Sequence, residues 1–465
     1  MRRWLLGHGD GRRPTAAVAG PGESTDPQDP GHRLAQAVSA GPEVFAQLLG
    51  EPGFLAAADP ETLCALLWAA GPQAYDAVRV YRRVRPLLGA DANANAAYLG
   101  EAARALTGSP LPLGQGVRPM YRTRLASVRR DNTLLTLTGH TALVGAVAFG
   151  TAPDGRLLLA SCADDHTVRL WDPVAGSPVG VPLTGHTGHV FWVEFGSSPD
   201  GRFFLASCGG DETVRLWDPL TGAPLGGPLT GHTGGVNMVA FGTVTGEAGE
   251  GRWLLASGGA DRTVRLWDPL TGEAVGYPLT GHGHEVWSLA FVRVGGRLLL
   301  VTSSFDDTIR FWDPLTRAEA GDPLTEHLAM VMATGTAPDG RVLLATGTRE
   351  GKVRVWDVLT RTVVCGPLAA HLDRVGLVAF ATSPDGQFLL ASSGLDESIR
   401  LWEPLTGTPV GGPLDGHTGY GYSLAFGTAT GSGQAGEGRL LLASSSAKAV
   451  LVWDPLAAAQ GGQAA

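Results

Sequence analysis

Lysine is nearly missing from this chain of 465 residues: Lys352 and Lys448 are the only two, and arginine carries the remaining basic charge. Lys and Arg together number 35 against 44 Asp and Glu, a net charge of −9. Non-specific nucleic-acid binding needs surplus cations to displace counterions from phosphates, so no nucleic-acid partner is expected. Cysteine is also sparse, at four. Cys64 and Cys365 have no partner by spacing, and Cys162 and Cys208 hold one place in consecutive repeats, so no disulfide framework is implied and a reducing compartment fits. No apolar run reaches transmembrane length, and the start MRRWLLGHGDGRRP lacks the apolar core of a signal peptide. These absences predict a cytoplasmic protein with no membrane partner. A G-x-x-x-x-G-K-[ST] phosphate loop is missing too, since the one Gly-Lys, Gly351-Lys352, is followed by Val353. ATP hydrolysis is therefore not expected.

Repetition is what the chain has in abundance. A Gly-His or close variant occurs seven times, at His140, His186, His232, His282, His327, His371 and His417. A Trp-Asp or close variant follows each, at Trp171, Trp217, Trp267, Trp312, Trp356, Trp402 and Trp453. Within the first unit, Val144, Val147 and Phe149 belong to a first strand. Pro153-Asp154-Gly155 is a turn cluster, and Leu157 to Ala160 is a short apolar run of the kind that forms a strand buried on both faces. After Asp164-Asp165, the alternation in TVRLW predicts a third strand, and Asp172-Pro173 turns the chain into a weaker fourth.

Units of about 45 residues ending in Trp-Asp resemble the WD-repeat family, of bacterial type, in which each unit makes a four-stranded blade of a β-propeller. The resemblance implies a mainly β chain, a seven-bladed propeller with a small α-helical N-terminal module. It also implies a side-chain network in each blade, from Trp to a hydroxyl, from the hydroxyl to His, and from His to Asp. The implied sets are His140/Ser161/Asp165/Trp171, His186/Ser207/Asp211/Trp217, His232/Ser257/Asp261/Trp267, His282/Thr302/Asp306/Trp312 and His371/Ser392/Asp396/Trp402. The fifth repeat has Glu350 for the acid, beside His327, Thr346 and Trp356. The seventh keeps Ser444 and Trp453, but Ala447 stands where the acid should be, so that blade should be the least well pinned.

The two ends of the array complement each other. The last repeat lacks a fourth strand, and NTLLTLT before the first Gly-His is a strand without its first three partners. Thr133 to Thr138 is therefore expected to complete the last blade and remove exposed edges. The division that follows is a disordered N-terminus over 1–30, a helical module over 31–110, a linker over 111–130, a propeller over 131–456 closed by strand 133–138, and a tail over 457–465. Helical character shows in Asp59-Pro60-Glu61, an N-cap with Pro at the first helical position, followed by the stripe Leu63, Leu66, Leu67 and Ala70. This stretch resembles the helical region before the propeller in STAND-type signalling NTPases.

Several chemistries are set aside. Each repeat unites His, Ser and Asp, but near-equivalent copies, each with a Trp, argue for structure, and no G-x-S-x-G elbow is present. No catalytic, cofactor-binding or metal-binding residue is assigned. His282-Gly283-His284-Glu285 falls short of three or four convergent ligands. Arg169, Arg215, Arg265, Arg310, Arg354 and Arg400 recur at one strand position, which suggests bridging to neighbouring acids.

A ring without chemistry offers surface. By resemblance, partners use the face of the Gly-His loops, at positions three and five after each His and just before the turn acid. Large groups there are Phe191, Trp287, Phe305, Met330, Met332, Arg349, Arg374, Leu395, Tyr420 and Tyr422, concentrated in repeats four to seven. Trp, Tyr and Arg dominate interface energetics, and Met adapts. Part of this set should turn inward, since large apolar side chains are mostly buried. The expectation is a monomeric, non-enzymatic scaffold or sensor that binds a protein or peptide on that arc, with the helical module coupling the event to a second partner. The alternative is a small-molecule-sensing propeller that gates a separately encoded NTPase.

Overall fold

The computed structural model describes residues 133–245, 251–325, 329–371, 373–415, 417, 423–430 and 438–456. The helical module, the linker, both termini, His327, Tyr420 and Tyr422 lie outside these residues. The described residues form seven antiparallel sheets. Blade one consists of Val144–Thr151, Leu157–Ala163, Val168–Asp172 and Ser177–Leu183, paired in that order. The first strands of blades two to seven are Val190–Ser197, Val236–Thr245, Val286–Val294, Ala329–Thr336, Val375–Thr382 and Leu424–Thr430. Each first strand touches that of the next blade, and Leu424–Thr430 touches Val144–Thr151, so the sheets close into a ring.

The seventh sheet is completed from the other end of the array. Thr133–Thr138 pairs antiparallel with Ala449–Trp453. Leu137 is buried there with Val450, Val452, Leu441 and Trp171, so this strand joins the core between blades seven and one. Ala449–Trp453 thereby gains an outer partner and the blade its fourth strand, leaving only a short edge as propellers do.

Burial follows strand position. The second strand of blade two, Phe203–Gly209, is buried at every residue. The outer strand of blade one, Ser177–Leu183, buries only Leu183. A double-sided core for the second strand explains why LLLA- and FFLA-type runs occur there without alternation.

Neighbouring blades lock through a glycine. A Cβ on Gly150 would stand 2.4 Å from the ring of Phe195 in the next blade, and Gly196 and Gly242 meet Phe241 and Phe291 in the same way. Gly335 faces Phe380, and Gly427 faces Phe149 across the seam. Between blades four and five the pair is exchanged. Val292 occupies the glycine place opposite Leu299, and Thr334 occupies the phenylalanine place opposite Leu344, so the larger and smaller residues are exchanged between the two places. Volume is conserved across the contact, as close packing requires.

The fourth strand departs from expectation. It is regular in blades one and five, as Ser177–Leu183 and Val363–Ala369, but blades two and three have only isolated bridges there, including Val214 with Leu229 and Val264 with Leu279. Pro228 and Pro278 cannot donate to a ladder and Gly226 and Gly276 adopt φ of +79° and +73°, but Pro182 and Gly180 (φ +70°) hold the same places inside the regular strand of blade one, so these residues do not explain the difference.

Candidate interaction surface

The turn between second and third strands and the connection into each first strand lie at the same end of a meander, so the Gly-His loops and the turn acids share one face. There they build a buried relay. His140 Nε2 is 2.8 Å from Ser161 Oγ, and Trp171 Nε1 donates to the same oxygen at 2.8 Å. His140 Nδ1 is 3.0 Å from Asp165 Oδ2. Indole N–H can only donate and an ionised carboxylate can only accept, so Ser161 accepts from Trp171 and Nδ1–H donates to Asp165, and the other nitrogen of an uncharged ring then accepts the Ser161 proton. This is a neutral imidazole. Burial accordingly lowers the His140 pKa, against the pull of Asp165. Burial alone would raise Asp165, but hydrogen bonds from Thr167, the Thr141 N–H and His140 outweigh it and bring the carboxyl down to about 2.

The same contacts recur in blades two, three, four and six. His186, His232, His282 and His371 lie 2.7–2.9 Å from Ser207, Ser257, Thr302 and Ser392. Trp217, Trp267, Trp312 and Trp402 donate to those hydroxyls at 2.8–3.0 Å. Asp211, Asp261, Asp306 and Asp396 stand 2.8–3.0 Å from the Nδ1 atoms. Each hydroxyl is fully buried and has its proton and a lone pair engaged. The arrangement has the residue types of a hydrolase triad but presents no nucleophile to a substrate.

Blades five and seven differ. Trp356 donates to Thr346 at 3.1 Å, while Glu350 is exposed and pairs with Lys352 Nζ at 2.7 Å. In blade seven, His417 Nε2 is 2.9 Å from Ser444 Oγ, and Trp453 donates to that oxygen at 2.7 Å. No acid of the Asp165 kind meets His417 among the described residues, and burial pushes its pKa down to about 4 against the opposing pull of the Glu397 backbone.

The expected apolar arc requires correction. Phe191, Trp287, Met330, Met332 and Leu395 are buried. Phe191 fills space vacated by glycine: Cβ atoms on Gly210 and Gly235 would each come within 3.2 Å of its ring. In blade five the first strand begins two residues after His327, against four after His140, so counting from the histidine misplaces both methionines. Met332 pairs with Thr346 as Val147 pairs with Ser161, and it belongs to the core with Leu344 and Trp356. Phe305, Arg349 and Arg374 are half-buried. Phe305 packs against Trp287 with centroids 4.8 Å apart, and the Arg349 guanidinium lies 5.7 Å over the Phe305 ring.

The exposed apolar groups cluster elsewhere. Val174, Leu220, Leu270, Leu315 and Leu359 are exposed at one repeated place, two residues after each Trp-Asp aspartate, at the opposite end of the blades. The aspartate makes the turn: Leu220 N donates to Asp218 Oδ1 at 2.9 Å, and Leu270 N to Asp268 Oδ1 at 2.9 Å, which holds the leucine at the apex. Tyr277 and Val181, on outer segments, are 85% and 79% exposed. A cavity of about 580 Å³ opens between two of these turns, lined by Phe203, Phe204, Leu220, Leu225 and Leu270, with Arg202 at its side. The recurring Asp-Pro-Leu was the available sequence signal for this rim.

Among the described residues no group of three or more His, Cys, Asp or Glu is placed to hold a metal, and no helix is long and apolar enough to cross a membrane. His282 has both ring nitrogens engaged, and His284 Nδ1 accepts the Glu285 N–H at 2.8 Å. Among the described residues the recurrent arginines play two roles. Arg310 pairs with Glu319 at 2.6 Å, whereas a Cβ on Gly139, Gly185 or Gly231 would stand 2.8–2.9 Å from the guanidinium of Arg169, Arg215 or Arg265. These three stack on the glycine that precedes the histidine and leave a buried Nε unpartnered.

Comparison with known proteins agrees with this architecture. The profile of the WD domain, G-beta repeat (WD40) matches residues 131–172, 176–218, 224–268, 275–313, 323–357 and 364–403, more than half of the chain. Similar proteins include nuclear distribution protein PAC1 of Arthroderma otae and of Arthroderma benhamiae, each 34% identical over 137 residues, 27% of this chain and 25% of the relative. Nuclear distribution protein PAC1-1 of Uncinocarpus reesii is 55% identical over 38 residues, 8% of each chain. The chain thus spans about a quarter of the length of the first two relatives.

Proposed function

Because the chain belongs to the WD domain, G-beta repeat family, we propose that it is a non-enzymatic protein-interaction scaffold whose partner sits on the Gly-His face over blades four to six. The observation that carries this reading is the half-buried stack of Arg349 on Phe305 on Trp287. Arginine and aromatic groups set in a rigid, partly desolvated patch are the kind that dominate binding energy. The relays of blades four and six hold the loops on either side of the patch in place, so a partner meets a surface that needs little ordering.

The leucine rim and its cavity favour a second contact at the other end of the blades, since contiguous exposed apolar groups mark interaction sites. Affinity capture with the full chain tests both readings. Wild type is compared with Phe305→Ala/Arg349→Ala and with Leu220→Asp/Leu270→Asp, each verified as folded by circular dichroism. Proteins recovered by wild type and the rim variant, but lost by the Phe305/Arg349 variant, are the expected result. Loss by the rim variant alone would move the partner to the opposite face, and no specific capture by any bait would remove the scaffold reading.

A further inference from the structure

On the Gly-His face, two guanidinium groups from neighbouring blades come together. Arg349 stands on the turn between Val342–Thr348 and Lys352–Asp357 of blade five, and Arg374 directly precedes Val375–Thr382 of blade six. Their charges act on each other. Burial and then the charge of Arg374 lower the Arg349 pKa, against Asp307, which raises it. Other acids nearby are engaged: Asp373 Oδ1 accepts the Arg374 backbone N–H at 2.6 Å, and Glu350 pairs with Lys352. Arg374 itself is half-buried, and its Nη1 is shielded from solvent with no hydrogen-bond partner among the described residues. A guanidinium so placed holds one N–H away from water and from any described acceptor, beside a second cation. An anion at the exposed edge of the pair would relieve both costs, and Phe305 and Trp287 supply an apolar wall next to it.

We propose that Arg374 and Arg349 form an anion subsite that receives a carboxylate or phosphoryl group on a side chain of the partner polypeptide, with an adjacent aromatic or apolar partner residue against Phe305. This deepens the scaffold reading and rests on it. Planar guanidinium forks suit both anions, which present two acceptor oxygens at matching spacing.

The test is fluorescence anisotropy with the full chain and labelled nonapeptides, Gly-Ser-Gly-Trp-X-Leu-Gly-Ser-Gly, in which X is Glu, phosphoserine, Ser or Gln. The Glu or phosphoserine peptide should bind at least tenfold tighter than the Gln and Ser peptides, and added salt should weaken it. Arg374→Gln should reduce that binding roughly ten- to a hundredfold, the worth of one or two charge-assisted hydrogen bonds. Arg374→Lys, which keeps the charge without the fork, should fall between the two. Preference for phosphoserine over Glu assigns the anion to a modified side chain, and the reverse assigns it to an acidic one. Equal affinity for charged and neutral peptides, unchanged affinity in Arg374→Gln, or no anionic peptide bound at millimolar concentration would overturn the proposal. Partner capture retained in Arg374→Gln would leave the scaffold standing while removing the subsite.

Discussion

Ser207→Ala isolates the value of one relay. The Ser207 hydroxyl is fully buried, accepts from Trp217 Nε1 at 2.8 Å and lies 2.8 Å from His186 Nε2. Removing one oxygen strands two buried polar atoms that water cannot reach. An unsatisfied buried donor or acceptor costs about 1–3 kcal/mol, so the substitution should cost about 2–5 kcal/mol, far more than the loss of a hydroxyl at the surface. A cycle with Trp217→Phe separates the two partners. The double variant no longer strands an indole N–H, so its cost should fall short of the sum of the singles by about 1–2 kcal/mol. Guanidinium unfolding of the full chain, followed by tryptophan fluorescence and circular dichroism, supplies the midpoints. A loss below about 0.5 kcal/mol for Ser207→Ala, or strict additivity in the cycle, would refute the claim that the relay holds the blade through shared hydrogen bonds.

Further outcomes follow from the same structure. Deleting residues 1–138 should lower the melting temperature well below that of a deletion of 1–132, because only the first removes Thr133–Thr138 from its pairing with Ala449–Trp453; equal melting temperatures would sink the closure account. Leu137→Ala should cost about 2–5 kcal/mol as a buried leucine truncation, measured by denaturant midpoint. Gly196→Ala, with a Cβ 2.4 Å from the Phe241 ring, should cost about 1–3 kcal/mol by overpacking, and Phe241→Thr in the same chain should recover part of it. His417 is held down to about 4, whereas an unfolded histidine titrates near 6.5. Between these values the unfolded chain binds the proton and the folded chain does not, so stability is complete above pH 6.5 and is lost as pH falls toward 4. The gap corresponds to about 3 kcal/mol, and His417→Gln should flatten the melting profile over that range. The Asp165 carboxyl, held at about 2, adds its own loss only below about pH 4.

The repeat spacing, the Trp-Asp ends and the turn clusters determined the blade and its number from sequence alone. Each is a local signal: a buried second strand reads as an unbroken apolar run, and a turn reads as Asp-Pro or Pro-Asp-Gly. The residue types of the relay were equally legible, because one histidine, one hydroxyl, one acid and one tryptophan recur at matched intervals. Exposure was not legible, and tertiary structure decided it. Phe191 is buried because Gly210 and Gly235 leave room for its ring, and neither lies near it in its own strand. Met332 is core because the loop before it is two residues short, which shifts the strand register relative to the histidine. Arg374 acts on Arg349 from another blade, an encounter between residues 25 positions apart that no repeat pattern encodes. A repeat specifies what each blade is made of; which of its side chains meet solvent depends on the blade packed beside it.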